Sequence, residues 1–178
     1  MPTQVILLNG GSSAGKSTLA RALQDTLPEP WLTFGTDTLV DALPARMRGS
    51  DGGIAFGSGG QVVPGADYRR LDDAWAQGMA ALARAGARLV IDEVFLGGPA
   101  SQARWQGALA GLDVLWVGVR CDPDVAAARE AARGDRTAGM ARLQADLVHR
   151  GVRYDLEVDS GRFSTAQCAA LVAARVTR

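Results

Sequence analysis

Residues 7–18 read LLNGGSSAGKST, and within them Gly10–Ser17 fit G-x-x-x-x-G-K-[ST] without a gap. The apolar run QVILL at 4–8 precedes this stretch, and a helical pattern from about Lys16 to Leu27 follows it, closed by Pro28 and Pro30. Strand, glycine loop and helix in that order make a phosphate cradle. Glycines and small side chains let backbone N–H groups converge on an anion, and the helix points its positive end at the same charge. Lys16 is the single lysine of the chain, the remaining 18 of 19 basic residues being arginine. Gly10, Gly11, Ser12, Ser13, Ala14, Gly15, Lys16, Ser17 and Thr18 are therefore expected to bind the phosphates of a nucleotide. Lys16 would reach the outer phosphates and the Ser17 hydroxyl would ligate Mg2+.

Outward from the loop, apolar runs alternate with helical patterns, which predicts an α/β fold around a parallel sheet. Further strands are expected at Trp31–Phe34, Arg88–Asp92, Val114–Val119 and Tyr154–Val158, the last nearer an edge because its residues alternate. Helices fit Pro99–Ala110, Pro123–Arg133, Ala138–His149 and Ser164–Val176, and Leu71, Trp75, Met79 and Leu82 recur as a helical core stripe. No internal repeat or linker divides the sequence, so residues 1–178 are expected to form one domain. Residues 49–65, GSDGGIAFGSGGQVVPG, hold seven glycines and resist a regular helix. A flexible surface loop or loose hairpin is expected there, with a flap over a substrate as the alternative.

Composition narrows the partners. The 178 residues carry no formal net charge, with 47% hydrophobic and 21% charged residues, so no broad basic face for nucleic acid is present. The N-terminal residues lack the pattern of a leader, and no apolar run approaches a membrane span, which makes a cytoplasmic location the expectation. Cys121 and Cys168 match no zinc or redox spacing and read as buried thiols. The oligomeric state, a homo-oligomer included, is left open.

A phosphate loop could serve a switch, a motor or a kinase, and a kinase also needs a group to orient and deprotonate an acceptor hydroxyl. The single histidine, His149, lies late in a helical pattern and reads as structural, which leaves carboxylates. Asp37 and Asp92 follow the second and third expected strands, at the strand ends that face a ligand crevice. Asp92 suits Mg2+, directly or through water, and Asp37 is the candidate base unless it merely caps a helix over 38–43. Glu93 could support Asp92 or face the acceptor. Arg129, Arg133 and Arg136, with Gly134 between the last two, suggest a hinged lid over 129–140 that supplies cations to the transferring group.

Beyond these single residues, ILLNGGSSAGKS, LPEPWLTFGTDTL, ARAGARLVIDEVFLGG, LDVLWVGVRCD and ARGDRTAGMA together resemble the chloramphenicol phosphotransferase family of antibiotic-producing actinomycetes. The resemblance covers nearly the whole chain and implies a P-loop kinase-like three-layer sandwich with strand order 2-3-1-4-5. It implies transfer of the γ-phosphoryl of ATP to the primary hydroxyl of chloramphenicol, and so antibiotic resistance. It also implies Asp37 as base, Lys16 and Ser17 in the phosphate loop, and Arg133 and Arg136 as lid arginines. The family's expected Asp-Asp pair is Asp92-Glu93 here. Phe34, Met47, Phe56 and Leu96 are expected to flank the crevice. A kinase for a nucleoside, sugar or other antibiotic, or a nucleotide-binding switch, would share the same donor loop.

Overall fold

The computed structural model describes residues 2–57, 59–133 and 139–176. In chain order the strands are β1 (Val5–Asn9), β2 (Trp31–Gly35), β3 (Ile54–Phe56), β4 (Val62–Pro64), β5 (Arg88–Glu93), β6 (Val114–Arg120) and β7 (Leu156–Asp159). The helices are α1 (Lys16–Thr26), α2 (Thr36–Ala42), α3 (Ala66–Arg84), α4 (Pro99–Ala108), α5 (Pro123–Arg133), α6 (Met140–Leu147) and α7 (Thr165–Ala173). Five strands form one parallel sheet in the order β2-β5-β1-β6-β7, which is 2-3-1-4-5 when those five are counted along the chain.

All five residues of β1 are buried because the strand is central and helices cover both faces. The pleat divides it. Ile6 and Leu8 join Val90, Val117, Leu19, Leu23 and Val172 on one face, while Val5 and Leu7 join Leu89, Ile91, Met79, Ala83 and Trp105 on the other. Each large aliphatic side chain so buried contributes about 1.5–3 kcal/mol relative to exposure. β7 starts two residues later than expected and lies at the sheet edge, pairing only with β6. The stripe expected on α3 is displaced. Leu82 is exposed, and small residues Ala76, Ala80 and Ala83 form the buried face with Met79.

The glycine-rich segment is a hairpin, β3 pairing antiparallel with β4 through Ile54↔Pro64 and Phe56↔Val62. Its base is fastened to its surroundings. Gly49 N–H donates to Ile54 O at 2.7 Å, and Gly65 N–H donates to Gly53 O at 2.6 Å. Asp67 and Tyr68 N–H groups, at the start of α3, donate to Gly52 O at 3.0 and 3.2 Å. A β-carbon on Gly53 would collide with Met47 O, and one on Gly60 with Met140 N at the start of α6. These glycines serve close backbone approach rather than looseness. Ile54 then packs with Leu39, Leu43 and Tyr68 in a small cluster that joins the hairpin to α2 and α3.

Candidate active site

Between β1 and α1 the chain turns through Ser13 (φ 58°) and Gly15 (φ 83°), both left-handed. That alternation aims successive amides inward, and a non-glycine at positive φ is a strained position of the kind found at ligand sites. Lys16 is 7% exposed. Its Nζ donates to Gly11 O at 2.9 Å and stands 3.5 Å from Asp92 Oδ1. Ser17 Oγ donates to Asp92 Oδ2 at 2.5 Å. Lys16, Ser17 and Asp92 thus converge as the sequence suggested. The loop is braced from outside: Ser12 N–H donates to Gln144 Oε1 of α6 at 2.8 Å, and Ser160 Oγ donates to Ala14 O at 2.7 Å. Arg129 holds Ser160 through Nη1 to Oγ (3.1 Å) and Nη2 to the carbonyl (2.7 Å), so it is a strut behind the loop.

Asp37 lies in the first turn of α2. The residue preceding that helix is Gly35, whose N–H donates to Thr38 Oγ1 at 3.2 Å, so Asp37 is not the cap. Gly35 is registered beside Asp92 across the β2–β5 pair, which brings the two carboxylate-bearing loops together. One cleft of about 850 Å³, its open mouth included, is lined by Ser12, Ser13, Gly15, Lys16, Ser17, Thr18, Asp37, Asp92 and Arg133. Its apolar wall comes from Val40, Ile54, Phe56, Val62, Val94, Leu96 and Met140. Phe56 and Leu96 therefore stand where expected. Phe34 does not; it packs edge-on against Trp75 with ring centroids 6.0 Å apart. Met47 packs beside the small cluster of Leu39, Leu43, Ile54 and Tyr68 instead of lining the cleft. Arg136 and the centre of the expected lid, residues 134–138, lie outside the described residues.

The pleat of β5 resolves the Asp92-Glu93 pair. Consecutive side chains leave a strand on opposite faces. Asp92 meets the phosphate loop, whereas Glu93, 3% exposed, enters a second chamber with Tyr68, Asp72, Asp73 and Arg104. Thr36, Ile54, Val62, Val94 and Leu96 line both spaces. Burial pushes the Glu93 carboxyl up to about 8, the Asp72 charge adding to it while Arg104 and Thr36 oppose it. Burial likewise raises Asp72 despite Arg104, whose Nη1 is 2.8 Å from Asp72 Oδ2. Tyr68 is held above the usual phenol range, first by burial and then by the charges of Asp72, Glu93 and Asp37.

Ser17 Oγ and Asp92 Oδ2 are hard oxygen donors side by side at the phosphate loop. This set fits Mg2+, which takes one or two protein oxygens and fills its remaining positions with phosphate and water. Among the described residues no cluster of three or more His, Cys, Asp or Glu is placed to hold a metal by itself. His149 is structural. Its Nδ1 is 2.6 Å from the Tyr154 hydroxyl, which also accepts from Asn9 Nδ2 at 2.6 Å. Burial, then Arg120, lowers its pKa to about 4. No described helix is long and apolar enough to cross a membrane.

Sequence reasoning missed Thr36, Val40, Ile54, Val62, Val94, Met140 and Gln144 as lining residues. The paired β-forming runs IAF and QVV around a glycine turn were the signal for the hairpin, and α6 carried none.

Known proteins agree with this geometry. The fold is shared with a Deinococcus radiodurans tunicamycin resistance protein (TM-score 0.69, 20% identity, covering 97% of this chain and 95% of that one). It is shared equally with the Mycobacterium tuberculosis APS kinase solved with AMPPNP and APS (TM-score 0.67, 19% identity, 96% and 95% covered). Sequences from two Mycobacterium tuberculosis strains, provisionally designated O-phosphotransferases, are 32% identical over 177 residues, covering 88% of this chain and 75% of theirs. The family described as chloramphenicol phosphotransferase-like protein matches residues 3–177. With its phosphate loop, strand order and full-length match in agreement, this chain belongs to the chloramphenicol phosphotransferase-like family.

Proposed function

We propose that this O-phosphotransferase uses ATP and Mg2+ to phosphorylate the primary hydroxyl of chloramphenicol, inactivating the drug, with Asp37 as the base. The observation that carries the reading is the shared cleft: Asp37 and the phosphate loop face one space whose opposite wall is an apolar hairpin. Asp37 accepts the hydroxyl proton as the alcohol oxygen bonds to the γ-phosphorus, and the bond from that phosphorus to ADP breaks. Lys16, Arg133 and, from outside the described residues, Arg136 balance the charge on the transferring group. Mg2+, when bound by Ser17 and Asp92, supplies further charge neutralisation at the phosphates. Phe56, Ile54 and Val62 seat the drug's aromatic end and keep water from the phosphoryl group. The nucleoside rests in the adjoining pocket of Thr18, Arg129, Ala132, Arg133, Ser160 and Thr165.

Mass spectrometry of a reaction with saturating ATP, Mg2+ and chloramphenicol tests the acceptor. One added phosphate on the drug, with equimolar ADP, is the expected result. ADP release without a phosphorylated drug would reject the chloramphenicol assignment and leave the donor site intact.

A further inference from the structure

The second chamber has no task in the transfer just described, yet it opens from the same cleft and carries a buried polar group with nothing to bind. Glu93 is 3% exposed, and its Oε1 has no hydrogen-bond partner. Its other oxygen, Oε2, accepts only from Val94 N–H at a long 3.4 Å. Thr36 Oγ1, on the wall shared with the donor cleft, is also buried; it makes no hydrogen bond of normal geometry, although it stands close enough to Glu93 to lower that carboxyl's pKa. A buried oxygen left unsatisfied costs roughly 1–3 kcal/mol, so Glu93 Oε1 marks a place where something else completes the bonding.

We propose that the chamber is a specificity subsite in which Glu93 Oε1 and Thr36 Oγ1 bind a second, uncharged hydrogen-bonding group of the acceptor, such as an amide or a secondary hydroxyl. This rests on the kinase reading above and extends its acceptor side. Three features restrict the chemistry. Thr36 adjoins Asp37 in sequence and lines both spaces, so an acceptor whose reacting hydroxyl is at Asp37 reaches the chamber by extending past residue 36. Arg104 lies 2.8 Å from Asp72 and 3.7 Å from Asp73, so its charge is already balanced within the protein. Asp72 and Asp73 offset Arg69 and Arg104 on the same walls, so the chamber offers no net positive charge to repay the desolvation of a carboxylate or phosphate on the acceptor. The chamber therefore selects neutral, polyfunctional alcohols over charged ones.

Steady-state kinetics of Glu93→Leu and Glu93→Gln, with ATP and acceptor varied separately, test the subsite. Glu93→Leu is expected to raise the acceptor KM about tenfold or more while the ATP KM stays within about twofold, and Glu93→Gln, which keeps a hydrogen-bonding head, to lie between it and the wild type. An unchanged acceptor KM in a Glu93→Leu protein that melts cooperatively would overturn the proposal. If that variant fails to fold, the wild type decides. Chloramphenicol analogues lacking the secondary hydroxyl, or with the amide N-methylated, are compared with the parent drug. A rise in KM of about tenfold for either supports the subsite, and indifference to both overturns it. Should the wild type make no phosphorylated chloramphenicol, the acceptor assignment has failed, and a panel of neutral and anionic alcohols tests the subsite separately. Turnover of a neutral polyol or amido alcohol supports it, and preference for a carboxylated or phosphorylated acceptor rejects it.

Discussion

The two walls of the cleft are made differently. The donor wall is largely backbone, a few consecutive residues between β1 and α1 held in shape by Ser13 and Gly15 and braced by Gln144, Ser160 and Arg129. The wall proposed for the acceptor is side chains gathered from α2, the β3–β4 hairpin and the segment after β5. Phosphate is the same in every reaction, so a main-chain cradle suffices for it. An acceptor has its own outline, and only side chains can be shaped to it.

The largest effects should break the walls apart. Asp37→Asn is expected to lower kcat about 10²–10⁴-fold, the usual scale for a lost general base, with ATP binding preserved. Near-normal turnover would remove Asp37 from the chemistry. Lys16→Ala should lower kcat/KM for ATP by about 10²–10³-fold whatever the acceptor. Measuring both variants against both substrates shows whether the division holds.

An intermediate effect lies behind the donor wall, where Asn9, Tyr154 and His149 are linked at the end of β1. The folded His149 pKa of about 4 lies below its ordinary value of 6.5, so the unfolded chain binds the extra proton first. Stability is complete above the ordinary value and falls as pH drops from there towards about 4. Urea unfolding should show a loss of about 1–2 kcal/mol between roughly pH 7 and pH 5, and His149→Gln should flatten that slope. The smallest effect sharpens the acceptor side. Gly60→Ala should cost more than about 1 kcal/mol, since the position has a left-handed φ and no room for a β-carbon beside Met140. Its acceptor KM should rise more than its ATP KM. Equal changes in both would show the walls to be less separate than described.

The difference between the walls also explains what could be read in advance. The phosphate loop and the convergence of Lys16, Ser17 and Asp92 follow from neighbours in sequence and from the rules of parallel sheets, whereas the strand order came with the family resemblance. Gln144 and Met140 could not be found that way, because helix packing alone brings them to the cleft. Phe34 was misplaced because an aromatic at a strand end satisfies a core as readily as a site, and Trp75 claims it. Glu93 was ambiguous until the register of β5 showed which face it leaves from. The glycines of 49–65 suggested slackness, whereas several lie where two stretches of main chain touch.

Those main-chain junctions have a consequence for how the enzyme can change. The hairpin's course is set by Gly53, Gly60 and Gly65 and by carbonyls at its base, and none of these glycines lines the cleft. Positions 54, 56 and 62 are thus a removable facing on a fixed frame. Exchanging them would reshape the cleft without rebuilding the loop between β1 and α1.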